Sequence, residues 1–138
     1  MAQIEIQGHP GIGQPVSGEA LVAADNFSAR YDLNRVEGVF SRPQHKLYGE
    51  SYVGKILVLN AAKGGVATAW MFHAMTAIDV IPKALLLNFA NPILAQGAAF
   101  AGFPLMDRFD GDITAQIKSG DQVDIYPKEG RVVVTTGD

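Results

Sequence analysis

Residues 55–70 read KILVLNAAKGGVATAW, an apolar run followed by two glycines and a second apolar stretch. The run KILVLN has no polar alternation, which is typical of a strand covered on both faces of a sheet. Residues Val66 to Ile78 place apolar side chains at helical spacing. Glycine permits a tight turn between the two elements. The stretch therefore predicts a buried strand, a turn and a helix, the repeating unit of an α/β fold.

The rest of the chain continues this pattern. KALLLNF predicts a second buried strand, and Asn91-Pro92 provides the cap and first-turn proline of a second helix, which we expect to end near Gly102. The segment from Phe27 to Gly54 is irregular, and long ordered loops are uncommon unless they bind something. Further strands are predicted at AQIEIQG, at EALVAAD (residues 19–25), at PLMDRF, and on both sides of KEG after a short helical turn. We expect one α/β domain over residues 1–138, with helices packed on a mixed sheet or a small barrel.

The composition indicates a globular chain without thiol chemistry. Of 138 residues, 48% are hydrophobic and 18% are charged, and the formal net charge is −3. The acidic balance and the lack of a basic cluster argue against nucleic-acid binding. Because the sequence has no cysteine, it cannot form a disulfide or supply thiolates to an iron–sulfur cluster. The three histidines show no metal-ligand spacing, so we expect no metal site in this chain.

The hydropathy pattern indicates no membrane partner. No apolar run approaches the roughly 18 residues that a membrane span requires. The first residues, MAQIEIQGHPGIG, lack the charged and apolar regions of a signal peptide. We therefore expect a cytoplasmic location.

Two places in the sequence are candidates for binding an acid. The glycines that follow Lys63 leave backbone N–H groups at the start of the predicted helix, where a carboxylate or phosphate is favoured. The alternative is an ordinary turn with Lys63 in solvent. His45 lies in the irregular segment beside Arg42 and Lys46, where it can bind an acid or shuttle protons. The alternative for His45 is a surface histidine without a role.

Four segments, taken in order, resemble a known family. They are GQPVSGEALV, HKLYGESYVGKILVLNAAKGG, ANPILAQGAAFAGFPL and IKSGDQVDIYPKEGRV. Together they resemble the small subunit, or swivelling domain, of the aconitase X family over almost the whole chain. The resemblance implies a swivelling β/β/α fold and a large-subunit partner that carries the iron–sulfur cluster, with no cofactor bound by this chain. It also implies dehydration of a small hydroxy acid, as with cis-3-hydroxy-L-proline in bacteria or mevalonate 5-phosphate in archaea.

The resemblance also assigns residues, although the sequence departs from the family at two points. One is SRPQ (residues 41–44), where the family has an Asp-Arg-Arg-like pattern, and the other follows the strand KILVLN. Family members carry a glycine and then a run of serines after this strand, and one of the serines acts in catalysis. Here Gly64 keeps the glycine, but the serine positions read Gly65, Val66 and Ala67, so Thr68 is the nearest hydroxyl. His45 matches a family histidine that precedes the GES turn. The resemblance thus predicts Thr68 and His45 as catalytic and Lys63, Gly64 and Gly65 as substrate-binding.

The function expected from these observations is that of a subunit. The chain would close over a hydroxy acid bound at the large subunit's iron–sulfur centre, and the resulting hydro-lyase would be active only when both subunits are present. The lost serines leave an alternative, a catalytically silent regulatory or binding module of the same fold.

Overall fold

The computed structural model describes residues 2–26, 33–34, 37–61, 80–90, 95–96, 98–99 and 102–136. Two of the predicted features, the helix over residues 66–78 and the Asn91-Pro92 helix start, lie outside the described residues. The same is true of Lys63, Gly64, Gly65 and Thr68. The structural statements below concern the described residues.

The described elements are nine strands, a short α-helix and a 3₁₀ turn. In chain order they are β1 (Ala2–Gln7), β2 (Val16–Val22), β3 (Leu33–Asn34), β4 (Val39–Phe40), β5 (Ile56–Ala61), β6 (Ala84–Phe89), β7 (Leu105–Asp107), α1 (Ile113–Gln116), β8 (Gln122–Tyr126), the 3₁₀ turn (Pro127–Glu129) and β9 (Arg131–Thr136). Both buried strands predicted around the opening stretch are present, as are the terminal hairpin and the short helical turn before it. Residues 95–96 and 98–99 are helical, as predicted for the second helix.

Seven strands form one mixed sheet in the order β1-β9-β8-β2-β5-β6-β7. Strands β2, β5, β6 and β7 run parallel to one another, whereas β1, β9, β8 and β2 pair antiparallel. This arrangement confirms the predicted mixed sheet. Strands β3 and β4 pair with each other, and Val39 of β4 also forms an isolated bridge with Ser51. Both strands lie in the segment that the sequence marked as irregular.

The chain between β1 and β2 joins the two edges of the sheet. Ile12 exchanges backbone hydrogen bonds with Leu105 of β7, at 2.9 and 3.0 Å. The backbone N–H of Asp110 donates to the carbonyl of Gln7 at the end of β1, at 2.9 Å. Because β1 and β7 are the outermost strands, these bonds bring the edges together and leave fewer unpaired backbone groups exposed.

The core occupies both faces of the sheet, which explains the absence of polar alternation in β5 and β6. Odd-numbered residues of these strands pack in a cluster with Phe40 and Tyr52. Even-numbered residues pack on the opposite face with the antiparallel strands β8 and β9 and with Ile113 of α1. Side chains alternate between the faces of a strand, so an apolar run is required when both faces are covered.

The end of the second helix and the start of β2 can each be compared with the boundary predicted from the sequence. The second helix ends where predicted, because Gly102 has a φ of +67°, its N–H donates to Ala99, and the N–H of Phe103 donates to Ala98. This is the Schellman arrangement, in which a left-handed glycine closes the last turn. Strand β2, in contrast, begins at Val16 rather than at Glu19. Its first residues pair with β8, a long-range partner that local turn signals at Ser17-Gly18 conceal.

Ile56 and Ile4 offer a matched test of this core. Ile56 in β5 is 0% exposed and Ile4 in β1 is 42% exposed. We expect Ile56→Ala to lower the free energy of unfolding by about 2–5 kcal/mol because it removes packed methyl groups and leaves a cavity. Ile4→Ala should cost less than about 1 kcal/mol. Urea unfolding followed by circular dichroism measures both, and equal losses would contradict the two-faced core.

Candidate functional site

The carboxyl ends of the parallel strands β2, β5, β6 and β7 lie along one edge of the sheet. In α/β sheets, ligands bind beyond this edge, where loops leave the strands. Strand β5 ends at Ala61, immediately before the turn that the sequence predicts to bind an anion. The turn itself lies outside the described residues, so its binding role stays a prediction. The described ends of the neighbouring strands show what surrounds it.

A row of three asparagine side chains crosses this edge. Asn60, at the end of β5, donates its amide to the side-chain oxygen of Asn26, at 3.2 Å. Asn88, at the end of β6, donates to the side-chain oxygen of Asn60, at 3.1 Å. The backbone N–H of Asn60 also donates to the carbonyl of Asp25, at 2.8 Å, which extends the β2–β5 pairing. We call Asn26, Asn60 and Asn88 the amide row; it fixes the position of the chain where β5 ends.

The amide row is anchored at one end by the cap of α1. The amide of Asn88 donates to Oδ1 of Asp112 at 2.7 Å, and its carbonyl oxygen accepts from the N–H of Ile113 at 2.8 Å. Asp112 Oδ1 also accepts from the N–H and the hydroxyl of Thr114, at 3.0 and 2.7 Å. The hydrogen bonds from Asn88 and Thr114 favour the charged carboxylate and lower the pKa of Asp112 below its ordinary value of 3.8.

His45 is only 3% exposed and uses both ring nitrogens in the fold. Its Nδ1 accepts from the backbone N–H of Leu47 at 3.0 Å, and its Nε2 lies 2.8 Å from the carbonyl oxygen of Asn26. A nitrogen that accepts cannot carry a proton, so these contacts fit the neutral ring with its proton on Nε2. The ring also stacks on Phe40 at 4.6 Å. The alternative of a surface histidine is therefore wrong, while a catalytic role stays a prediction.

Asp25 connects the chain after β2, beside Asn26, to the loop that contains His45. Its carboxylate accepts from the backbone N–H groups of Asn26 at 2.8 Å and Lys46 at 3.2 Å. His45 Nε2 lies 3.9 Å from the same carboxylate. Burial raises the pKa of Asp25, but the backbone N–H donors and the nearby positive charge of Arg42 outweigh burial and lower it. The end of β2 and the loop over residues 42–49 are thus held together.

The sequence reading missed the amide row, although a signal for it was present. Both buried runs, KILVLN and KALLLNF, place an asparagine at or near their ends. The register pairs Leu59 with Leu87, so the two asparagines that follow are neighbours on one face of the sheet. A polar residue at the same register position of two adjacent buried strands is the pattern that would have predicted their contact.

The described residues offer no set of ligands for a metal. No group of three or more histidine, cysteine, aspartate or glutamate side chains among them is arranged to hold a metal ion. No helix in the described part of the chain is long and apolar enough to cross a bilayer. The whole sequence lacks cysteine, the usual ligand of iron–sulfur clusters.

Comparison with known proteins gives one family match and several similar chains. The Aconitase X swivel domain model matches residues 5–134. The chain is 33% identical over 125 residues to the phosphomevalonate dehydratase small subunit of Pyrococcus horikoshii, covering 90% of this chain and 91% of that one. It is 33% identical over 115 residues to the small subunit of the same name from Methanococcoides burtonii, covering 83% and 84%.

Solved structures agree with this result. The holo-form crystal structure of aconitase X from Thermococcus kodakaraensis matches with a TM-score of 0.88 and 25% identity, over 96% of this chain and 99% of that chain. A UPF0107 protein determined by solution NMR matches with a TM-score of 0.85 and 28% identity, over 96% and 100%. The predicted swivel fold is confirmed.

Asp112→Asn tests the charge at the end of the amide row while it keeps an oxygen that can cap α1. A carboxylate whose pKa is lower in the folded state stabilises the fold above its unfolded-state pKa and loses this effect as the pH falls through the folded-state pKa. We expect the variant to be less stable than the wild type at pH 7, and the difference to decrease as the pH falls below 3.8 towards the lowered pKa of the folded state. Urea unfolding from pH 3 to pH 7 measures this. Asp124→Asn in β8 is the control, and a pH-independent difference would contradict the prediction.

His45→Ala tests the structural contacts of the ring. The change leaves the Leu47 N–H and the Asn26 carbonyl without their partner and removes the stack on Phe40. We expect the free energy of unfolding to fall by about 2–4 kcal/mol. The matched change at exposed His9 should alter it by about 0.5 kcal/mol or less. If both variants unfold at the same urea concentration as the wild type, His45 has no anchoring role.

Proposed function

Because this chain belongs to the Aconitase X swivel domain family, we propose that it is the small subunit of a two-subunit hydro-lyase for a small hydroxy acid. The observation that carries the proposal is the match to phosphomevalonate dehydratase small subunits at 33% identity over 90% of this chain. The family match over residues 5–134 includes the sequence of residues 63–68, where the binding turn is predicted. Those relatives are named as small subunits, so the proposal includes a large subunit as the partner.

The described geometry supports a substrate site at the carboxyl edge of the sheet. The amide row holds the end of β5, and the sequence predicts the binding turn over residues 63–68 immediately after this strand. Backbone N–H groups at such a turn favour an anion, and Lys63 adds a positive charge. We propose that Lys63, Gly64 and Gly65 bind the substrate's carboxylate and that the small subunit closes over it and excludes water.

Dehydration requires a proton acceptor and a leaving hydroxyl. A base takes the proton from carbon, the neighbouring C–O bond breaks, a C=C bond forms, and the hydroxide accepts a proton and leaves as water. In this chain Thr68 is the hydroxyl nearest to the family's serine positions. We propose Thr68 as the residue that assists proton transfer, while His45 holds the loop beside the site and remains the second candidate.

The residues of this chain do not fit an iron–sulfur cluster. It has no cysteine, and the part of the chain that the structure describes contains no metal-ligand group. We therefore place any such cluster in the large subunit and assign it no contact with this chain. A cytoplasmic location for the pair stays a prediction.

The departure from the family at Gly65, Val66 and Ala67 favours one alternative. Without the serines, the chain can serve as a catalytically silent module that shapes the large subunit's site and binds the substrate through backbone groups alone. The two proposals share the binding turn and differ at Thr68. Substitution of Lys63 and Thr68 separates them.

The decisive experiment is reconstitution with the large subunit. We expect no turnover from this chain alone and turnover from the pair, assayed with mevalonate 5-phosphate and with cis-3-hydroxy-L-proline by the appearance of the dehydrated product. In the active pair, Lys63→Ala should lower kcat/KM by about tenfold or more because a charge-assisted contact is lost. Thr68→Ala should lower kcat if its hydroxyl assists proton transfer.

Lys55 provides the control because it precedes β5, whereas Lys63 follows it. Its surface ion pair with Glu19, at 2.7 Å, contributes little to stability. Lys55→Ala should therefore leave kcat/KM within about twofold. Turnover by this chain alone would refute the proposal. Unchanged turnover in both the Lys63 and the Thr68 variants would favour the silent module.

A further inference from the structure

The amide row has a direction, and that direction is set at the start of α1. The backbone N–H of Ile113 can only donate, so the side-chain atom of Asn88 that lies 2.8 Å from it must be the oxygen. The ionised carboxylate of Asp112 can only accept, so the atom of Asn88 that lies 2.7 Å from it must be the amide nitrogen. Asn88 therefore cannot flip without placing donor against donor and oxygen against oxygen.

The backbone and the side chain of Asn88 are both committed to the fold. Its carbonyl accepts from the N–H of Arg108, the residue after β7, at 3.1 Å. Its amide nitrogen donates to Asp112 and to Asn60. An asparagine amide has two N–H donors, so Asn88 has none left for a ligand.

The orientation passes along the row from Asn88 to Asn26. Asn60 lies 3.1 Å from the amide nitrogen of Asn88, so it presents its oxygen there and its own nitrogen on the other side. That nitrogen lies 3.2 Å from the side chain of Asn26, which accepts with its oxygen. Within the described part of the chain, the hydrogen bonds of Asn26 use this oxygen and the backbone groups, and none uses the side-chain nitrogen. The row therefore ends in an N–H donor.

Asn26 is held in place at this end of the row. Its backbone N–H donates to Asp25 at 2.8 Å, and its carbonyl oxygen lies 2.8 Å from Nε2 of His45. The residue is partly buried. A donor fixed in this way loses little conformational freedom when it binds a ligand.

The polarity of the row favours a negatively charged acceptor at Asn26. The three amides are linked from nitrogen to oxygen, and each amide that accepts at its oxygen becomes a stronger donor at its nitrogen. The formal charges beside Asn26 are opposite in sign and do not exclude an anion. Lys46 donates its backbone N–H to the carboxylate of Asp25 at 3.2 Å, and its ammonium donates to the carbonyl of Ala24 at 3.0 Å.

We propose that Asn26 is a substrate-binding residue whose side-chain N–H groups donate to the carboxylate of the hydroxy acid, and that Asn60 and Asn88 are positioning residues that fix its orientation. The inference rests on the proposed function and deepens it, because it assigns a binding role to a residue just beyond the end of β2, on the edge of the sheet where ligands bind. A donor at the carboxylate also stabilises the negative charge that develops there when a base removes a proton from the neighbouring carbon.

The first test measures the direction of the row in the full chain alone. Nitrogen-15 NMR follows the exchange of each side-chain NH2 group with water. Asn88 donates both N–H groups, Asn60 donates one and Asn26 none, so we expect exchange to be slowest at Asn88 and fastest at Asn26. Asn88→Ala should speed exchange at Asn60, because nothing then fixes its orientation. Slowest exchange at Asn26 would show that the row runs the other way, and an unchanged rate at Asn60 would refute the positioning role of Asn88.

The second test measures carboxylate binding without turnover. The labelled chain, alone and combined with the unlabelled large subunit, is titrated at constant ionic strength with acetate and separately with acetamide, which has nearly the same shape and no charge. We expect the side-chain N–H signals of Asn26 to shift with acetate in a saturable way and not with acetamide. The absence of a saturable acetate shift in both samples, or an equal shift with acetamide, would overturn the proposal.

The third test uses turnover by the reconstituted pair. Asn26→Asp keeps an oxygen that accepts from Asn60 and replaces the donor with a negatively charged oxygen. We expect kcat/KM to fall by about tenfold or more, because a charge-assisted hydrogen bond is lost. Gln44→Glu is the control, because it adds the same charge at an exposed position of the loop over residues 42–49, and it should leave kcat/KM within about twofold.

The outcomes separate this inference from the proposed function. Unchanged kcat/KM in Asn26→Asp would refute the binding role while the dehydratase activity stands. If the wild-type pair has no dehydratase activity, the proposed function fails, and the acetate titration still decides whether Asn26 binds a carboxylate.

Discussion

The burial of β5 and β6 on both faces is the constraint on which the rest of the structure depends. Side chains from each strand enter two separate apolar clusters, so neither strand can carry a polar group along its length without leaving it unpaired in the core. Polar chemistry is therefore confined to the strand ends. The amide row and Arg108 both lie at the carboxyl ends of the parallel strands, and the predicted Lys63–Thr68 turn follows the carboxyl end of β5.

The sequence predicted the parts of the fold that depend on local pattern. The apolar runs predicted β5 and β6. Gly102 predicted the end of the second helix, because a helix often closes with a left-handed residue and glycine adopts that conformation readily. It predicted the start of β2 less well, since residues 16–18 form a strand only through their pairing with β8. The small strands β3 and β4 were missed for a different reason: each has two residues, which is too short to show a periodicity.

The site was less accessible to sequence reasoning because its residues are distant in the chain. His45, Asn26 and Asn60 meet only when β2, β5 and the loop over residues 42–49 come together, and no spacing rule links them. The burial of His45 could not be read from its neighbours Arg42 and Lys46, which suggest a solvated loop. The resemblance to a family predicted a role for His45, and the structure shows its hydrogen-bond partners. The ring's two hydrogen bonds explain why a histidine suits this position: one nitrogen accepts from Leu47 while the other reaches the carbonyl of Asn26.

The loss of the serines separates two tasks that a serine-bearing turn can combine. Binding an anion at a turn before a helix uses backbone N–H groups, and we propose that Gly64 and Gly65 provide them without any side chain. Proton transfer needs a side chain that can give or accept a proton, which glycine, valine and alanine cannot do. A chain that keeps the first capacity and loses most of the second is suited to holding and enclosing a substrate, with the base supplied by Thr68 or by the partner.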